Sequence, residues 1–225
     1  MISARSVPAC LLRLAAAVSI VLPVLAGAET LYNQPFAETA NGGYWASTLG
    51  GYLQHDSFTL ATDATVSSVG WYGVDLNELV GWTPINPTSF TLSIAADDGS
   101  GAPGEVLSFS TIGASAGATD TGQQLLGLTL YHYTGTLETA FHASAGTTYW
   151  LGVSDPTDNG NWFWASGAGP DGNHVGVIGG VPDVYEDDMS FSLDGTISAV
   201  PEPSTVALFA LGAIGLFGVR ARRAR

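Results

Sequence analysis

Through the middle of the chain, apolar and polar residues alternate in short runs. In "SFTLSIAADDGSGAPGEVLSFS", Phe90, Leu92 and Ile94 alternate with Thr91, Ser93 and Ala95, and the turn-rich "DDGSGAPG" leads into another run at Glu105 to Ser110. A period of two is that of a β-strand with one buried and one wet face. The same alternation marks Phe58 and Leu60; Val69 and Trp71; Leu126, Leu128 and Leu130; Tyr149, Leu151 and Val153; and Met189, Phe191 and Leu193. Gly, Asn, Asp and Ser turns separate these runs, and helical periodicity is nearly absent. The spacing predicts roughly eight to ten strands.

The expected fold is therefore all-β: an antiparallel, jelly-roll-like β-sandwich forming one ectodomain over residues 29–198. Alternation does not set connectivity, so an up-and-down barrel stays open. The polar, Gly/Ala-rich segment Ile112 to Gln124 is expected as a mobile loop.

The ends are different material. Residues 1–28 carry Arg5 and Arg13, an apolar run from Leu14 to Leu25, and Ala26-Gly27-Ala28, the small-x-small pattern of a signal peptide that signal peptidase cleaves after Ala28. The single cysteine, Cys10, lies within that peptide, so the domain has no disulfide to form and must be held by its core. At the other end, Thr205 to Val219 is apolar beyond its first residue and is expected as a short transmembrane helix. Arg220, Arg222, Arg223 and Arg225 follow it and orient the tail to the cytoplasm by the positive-inside rule.

All six basic residues lie in these end segments, whereas 19 of the 20 acidic residues lie in residues 29–198, giving that stretch a formal charge of −19. Such a domain has no means of neutralising phosphates, so nucleic acid is excluded as a partner. Its carboxylates have no Lys or Arg to pair with and must be solvated, hydrogen-bonded, protonated or bridged by cations.

Candidate chemistry is sparse. Gly113-Ala114-Ser115-Ala116-Gly117 has the letters of a nucleophile elbow but not its strand-turn-helix setting. His55, His132, His142 and His174 lack metal-ligand spacing. No catalytic residue, resident cofactor or enzymatic activity is expected. Calcium is the one ion the oxygen donors would suit, through Asp155 and Asp158 in "DPTDNGN" and Asp187 and Asp188 in "DVYEDD". The same residues serve as ordinary turn formers. Strand alternation puts Trp162 and Trp164 on one face, either as a sugar-stacking pair or as core. Trp71, Trp82 and Trp150 pose the same choice.

The strongest signal is "VPEPST", then the apolar span 205–219, then the arginines. Pro201, Glu202 and Pro203, the span and the arginine cluster stand in the order of the C-terminal sorting signal of PEP-CTERM proteins, which residues 199–225 closely resemble. The resemblance implies export in a Gram-negative bacterium and a transient C-terminal anchor in the inner membrane. It also implies processing by an exosortase around Pro-Glu-Pro, then transfer to the cell surface or extracellular matrix and its exopolysaccharide. Prolines suit such a substrate because they keep the motif extended and short of amide donors. More loosely, "DSFTLATDATVSSVGWYG", "FTLSIAADDGSGAPGEVL", "TTYWLGV" and "NWFWASG" resemble the β-sandwich ectodomains that often precede such signals. The expected role is structural or adhesive, with a carbohydrate-binding module as the alternative and a polysaccharide-active enzyme behind it.

Overall fold

The computed structural model describes residues 27–37, 43–48, 51–80, 89–113, 117–156 and 161–198. The expected signal peptide through residue 26, Ser115, Trp82, Asp158, Pro201, Glu202, Pro203, the span 205–219 and the arginines from Arg220 lie outside the described residues. Among the described residues no helix is long and apolar enough to cross a membrane.

The strands in chain order are β1 (Glu29–Gln34), β2 (Tyr44–Ala46), β3 (Tyr52–Thr59), β4 (Ala64–Asp75), β5 (Phe90–Asp97), β6 (Pro103–Ile112) and β7 (Thr119–Leu125). They continue as β8 (Leu128–Ala143), β9 (Thr148–Ser154), β10 (Trp162–Gly167), β11 (His174–Ile178), β12 (Val181–Tyr185), β13 (Asp188–Met189) and β14 (Phe191–Ile197). One short 3-10 turn, Leu76–Val80, is the only helical element among the described residues. Among the described residues every ladder is antiparallel, and fourteen strands form where the alternation predicts eight to ten.

Six strands form one sheet in the order β12-β11-β3-β9-β5-β6, and the other eight form the second. In the second sheet β4 carries β8 along one edge, while its other edge is shared by β14 on Ala64–Trp71 and β10 on Gly73–Asp75. Inward side chains from both sheets meet in one apolar cluster, with Trp71, Tyr133, Trp162 and Phe191 facing Phe58, Phe90, Leu92 and Leu151. The rings interlock edge to face: Trp71 and Phe90 have centroids 5.0 Å apart, and Phe90 and Trp162 4.9 Å apart. Burying alternate residues of two sheets against each other is what a period of two requires.

The sheets also curl together at one edge. Opposite Val66 and Ser68 the pairing jumps from Phe141 to Thr136, so the intervening residues of β8 leave the ladder. Glu138, in that bulge, accepts a hydrogen bond from the Thr111 amide at 3.1 Å, and its own amide donates to Ser110 Oγ at 3.1 Å. A bulge bends its strand, and here the bend lets β8 reach β6 of the other sheet.

Two expectations are corrected. The segment Ile112 to Gln124, expected as a mobile loop, holds from Thr119 onwards most of strand β7 (Thr119–Leu125), which shows no alternation because Leu125 is its one buried residue. Leu126 is not a core residue of an alternating run. With φ of 51° beside Gly127 at 84°, it forms the two-residue turn between β7 and β8 and is exposed.

Candidate functional site

At one end of the sandwich the interior changes character. Along β3, Asp56 lies two residues from Phe58 and so shares its inward face. There Gln34 closes β1, Asp188 opens β13, and Asp171 stands in the turn before β11. The Asp56 carboxylate is held by three donors: the Met189 amide at 2.5 Å, the Ser57 amide at 2.6 Å and Gln34 Nε2 at 2.9 Å. The loop before β11 wraps Asp188, with the Gly169 amide at 2.8 Å and the Gly172 amide at 3.1 Å. Asp171 accepts from Ser57 Oγ at 3.1 Å. One carboxylate oxygen from each of Asp56, Asp171 and Asp188 lies within 4.8 Å of the others.

This crowding shapes the electrostatics. Burial pushes the Asp56 carboxyl well above the usual range; the charges of Asp188 and Asp171 add to that, against hydrogen bonds from Met189 and Gln34. Burial, then the hydrogen bond shared with Asp171, pushes Asp188 up to about 6. Burial and the same three carboxylates raise the Tyr32 phenol.

Beside this trio runs a second network. Asp187 accepts from Trp45 Nε1 at 2.9 Å and Ser166 Oγ at 2.5 Å, and its Oδ1 lies 3.0 Å from His174 Nδ1. The same His174 nitrogen sits 2.7 Å from the Asp187 carbonyl, so Nδ1 carries the proton. Burial acts to raise Asp187, but the hydrogen bonds from His174, Ser166 and Trp45 prevail and hold it below its usual range. The His174 ring also stacks on Tyr185, centroids 5.2 Å apart. Ser166 donates to the aspartate and not to the histidine, so this is not a nucleophile–base pair.

Outside the six-stranded sheet lies a groove of about 590 Å³. Thr59, Thr148, Asp97 and Asn173 line it with polar groups around Trp150, and Asp171 connects it to the trio. Trp150 itself is 5% exposed, with its indole N–H donated to Asp97 at 2.9 Å.

The expected site residues separate accordingly. Trp162 and Trp164 are 1% and 0% exposed, so their indoles are core and present no face for a sugar. Trp71 is likewise core. Asp187 and Asp188 do not act together: Asp187, in the bend before β13, serves Trp45 and His174, and Asp188, at the start of β13, belongs to the trio. Asp155 is buried at a bridge to Thr48, away from the trio. Asp56, Asp171 and Gln34 were not among the residues singled out from sequence. The available signal was Asp56 itself, a carboxylate on the strand face that carries Phe58.

No curated protein is significantly similar to the chain. Residues 199–223 match the family model for the PEP-CTERM protein-sorting motif, the match falling on the segment whose Pro-Glu-Pro, apolar span and arginines suggest it. That motif marks an exported protein, anchored at its C-terminal segment until exosortase processes it. With it, this acidic β-fold chain carries a PEP-CTERM protein-sorting motif in residues 199–223.

Proposed function

We propose that the protein is an exosortase-processed component of the cell surface or extracellular matrix of a Gram-negative bacterium, with a structural or adhesive role among exopolysaccharides and no catalysis of its own. The observation that carries this reading is the sorting motif at residues 199–223. A signal peptide over residues 1–28 and a membrane span at 205–219 complete the route. The folded part suits the destination. A jelly-roll-like sandwich with a core of packed rings needs no disulfide, and its −19 charge keeps copies apart and soluble.

The groove on the outer face favours a second reading, sugar binding through hydroxyl, amide and carboxylate groups in place of stacked indoles. A polysaccharide-active enzyme is less well supported, because Asp171 and Asp188 share a hydrogen bond and leave no room for a sugar ring between them.

Fractionation of a host with and without its exosortase tests the leading reading. With the enzyme the protein is expected in the surface and medium fractions; without it, in the membrane. A chain with Pro201→Ala, Glu202→Ala and Pro203→Ala should stay in the membrane in both hosts. The same distribution of the unaltered chain in both hosts would overturn the reading.

A further inference from the structure

We propose that Asp171 and Asp188 form a proton-operated clasp: in acid it holds the loop of residues 168–173 against β13, and towards neutral pH it releases that loop and with it one wall of the outer groove. The clasp belongs to the folded domain and is independent of sorting and of what the groove holds.

The loop joins β10 to β11 and is tied down through these two side chains. Asp188 accepts from the Gly169 amide at 2.8 Å and the Gly172 amide at 3.1 Å, while Asp171 accepts from Ser57 Oγ at 3.1 Å. Both amide positions need glycine. A Cβ built on Gly169 would stand 2.6 Å from Asp188 Oδ1, and Gly172 has a φ of 68°, which L side chains rarely adopt. The loop backbone therefore lies directly on the Asp188 carboxyl. Asp56 completes the crowding, with one oxygen from each of the three carboxyls within 4.8 Å of the others.

Two carboxyl groups hydrogen-bond to each other only through a proton, because an ionised carboxylate accepts and cannot donate. Asp171 and Asp188 share such a bond, and it fastens the loop to β13. No cationic side chain can take the proton's place: residues 29–198 contain no Lys or Arg, and His174 is engaged with Asp187. The titratable groups facing the pair are Asp56 from β3 and Tyr32 from β1, both raised by burial and by the neighbouring carboxylates, with Asp97 of β5 across the groove. Each is neutral or anionic. Loss of the shared proton thus sets like charges side by side with nothing to offset them.

Burial, then the bond with Asp171, pushes Asp188 up to about 6, against the Gly169 and Gly172 amides, which favour its ionised form. The closed loop binds the proton more tightly than the open one, so closure is favoured in acid and lost as pH rises through about 6. Asp171 is exposed and free to turn into solvent, whereas Asp188 is buried in β13, so the loop is the part that moves. Pro170, Asp171 and Asn173 of this loop line the groove of about 590 Å³, and release opens that side of it.

Hydrogen exchange of the Gly169 and Gly172 amides tests this, followed by NMR on the full chain in detergent and chelator and corrected for the intrinsic pH dependence. With Asp188 at about 6 in the closed loop and at its usual 3.8 in the open one, protection should fall about tenfold between about pH 5 and pH 7.5, while the β9 amides stay protected. Asp171→Asn puts a permanent amide donor where the shared proton sits and should keep the loop protected at both pH values. Asp97→Asn, across the groove, should leave the fall unchanged. Equal protection at the two pH values in the unaltered chain would overturn the clasp. So would a fall of the same size in Asp171→Asn with β9 still protected, or a loss of protection that β9 shares, which would be unfolding of the whole domain.

Discussion

One interior holds two kinds of packing. Between β4, β5, β8 and β10 the sheets meet through rings, with Trp71 stacked on Tyr133 at 5.8 Å and Phe90 set edge-on against both Tyr133 and Trp162. Between β1, β3, β11 and β13 they meet through Gln34, Asp56, His174, Asp187 and Asp188, all at most 4% exposed. The first half gains free energy from every ångström of contact and tolerates few gaps. The second half is stable only insofar as each polar atom finds its partner. The ring half accounts for the fold's stability; the polar half makes it conditional on pH.

The largest effect separates the halves by brute loss. Phe90→Ala removes the ring that touches Trp71, Tyr133 and Trp162 and should lower unfolding free energy by about 3–5 kcal/mol, read from the midpoint of urea denaturation. Asp187→Ala should approach that, at about 3 kcal/mol, although it deletes fewer atoms. It strands the Trp45 and Ser166 donors in the interior, while His174 Nδ1 keeps the backbone carbonyl of residue 187. If Asp187→Ala proved harmless, the polar half would be ornament.

A pH series comes next. Burial lowers His55 to about 4 from its usual 6.5, so the folded state holds it neutral. Its contribution is complete above pH 6.5 and is lost as pH falls towards 4, a change of up to about 3 kcal/mol. Asp188, raised to about 6, acts in the opposite sense: its contribution is present below pH 3.8 and is lost as pH rises through 6. Melting curves should therefore show Asp188→Asn more stable than the unaltered chain above pH 6, with the difference vanishing near pH 4. In His55→Gln the acid limb should be shallower. The smallest effect is Trp45→Phe, which keeps a ring against His174 and Tyr185 and loses one hydrogen bond to Asp187, about 1 kcal/mol.

The same contrast explains what the sequence discloses. The apolar half is written in the strand period: Phe58, Leu60, Phe90, Leu92, Ile94, Leu151 and Val153 alternate and are all buried. Strands with almost nothing to bury leave no such trace, and β7 and β12, exposed along most of their length, read as loop. The polar half is assembled from single residues distant in the chain, Gln34, Asp56, Asp171 and Asp188, whose letters are those of turns everywhere else. The sorting motif is the reverse case. Its recognition needs only linear order, so Pro201 to Arg223 can be read without any fold.

That tail carries the account's central claim, and the intact mass of the protein collected from the surface fraction of an exosortase-containing host tests it most directly. The account predicts a chain that has lost Arg220, Arg222, Arg223 and Arg225, with the full tail kept when the exosortase is deleted. A surface protein that still carries all four arginines with the enzyme present would contradict it.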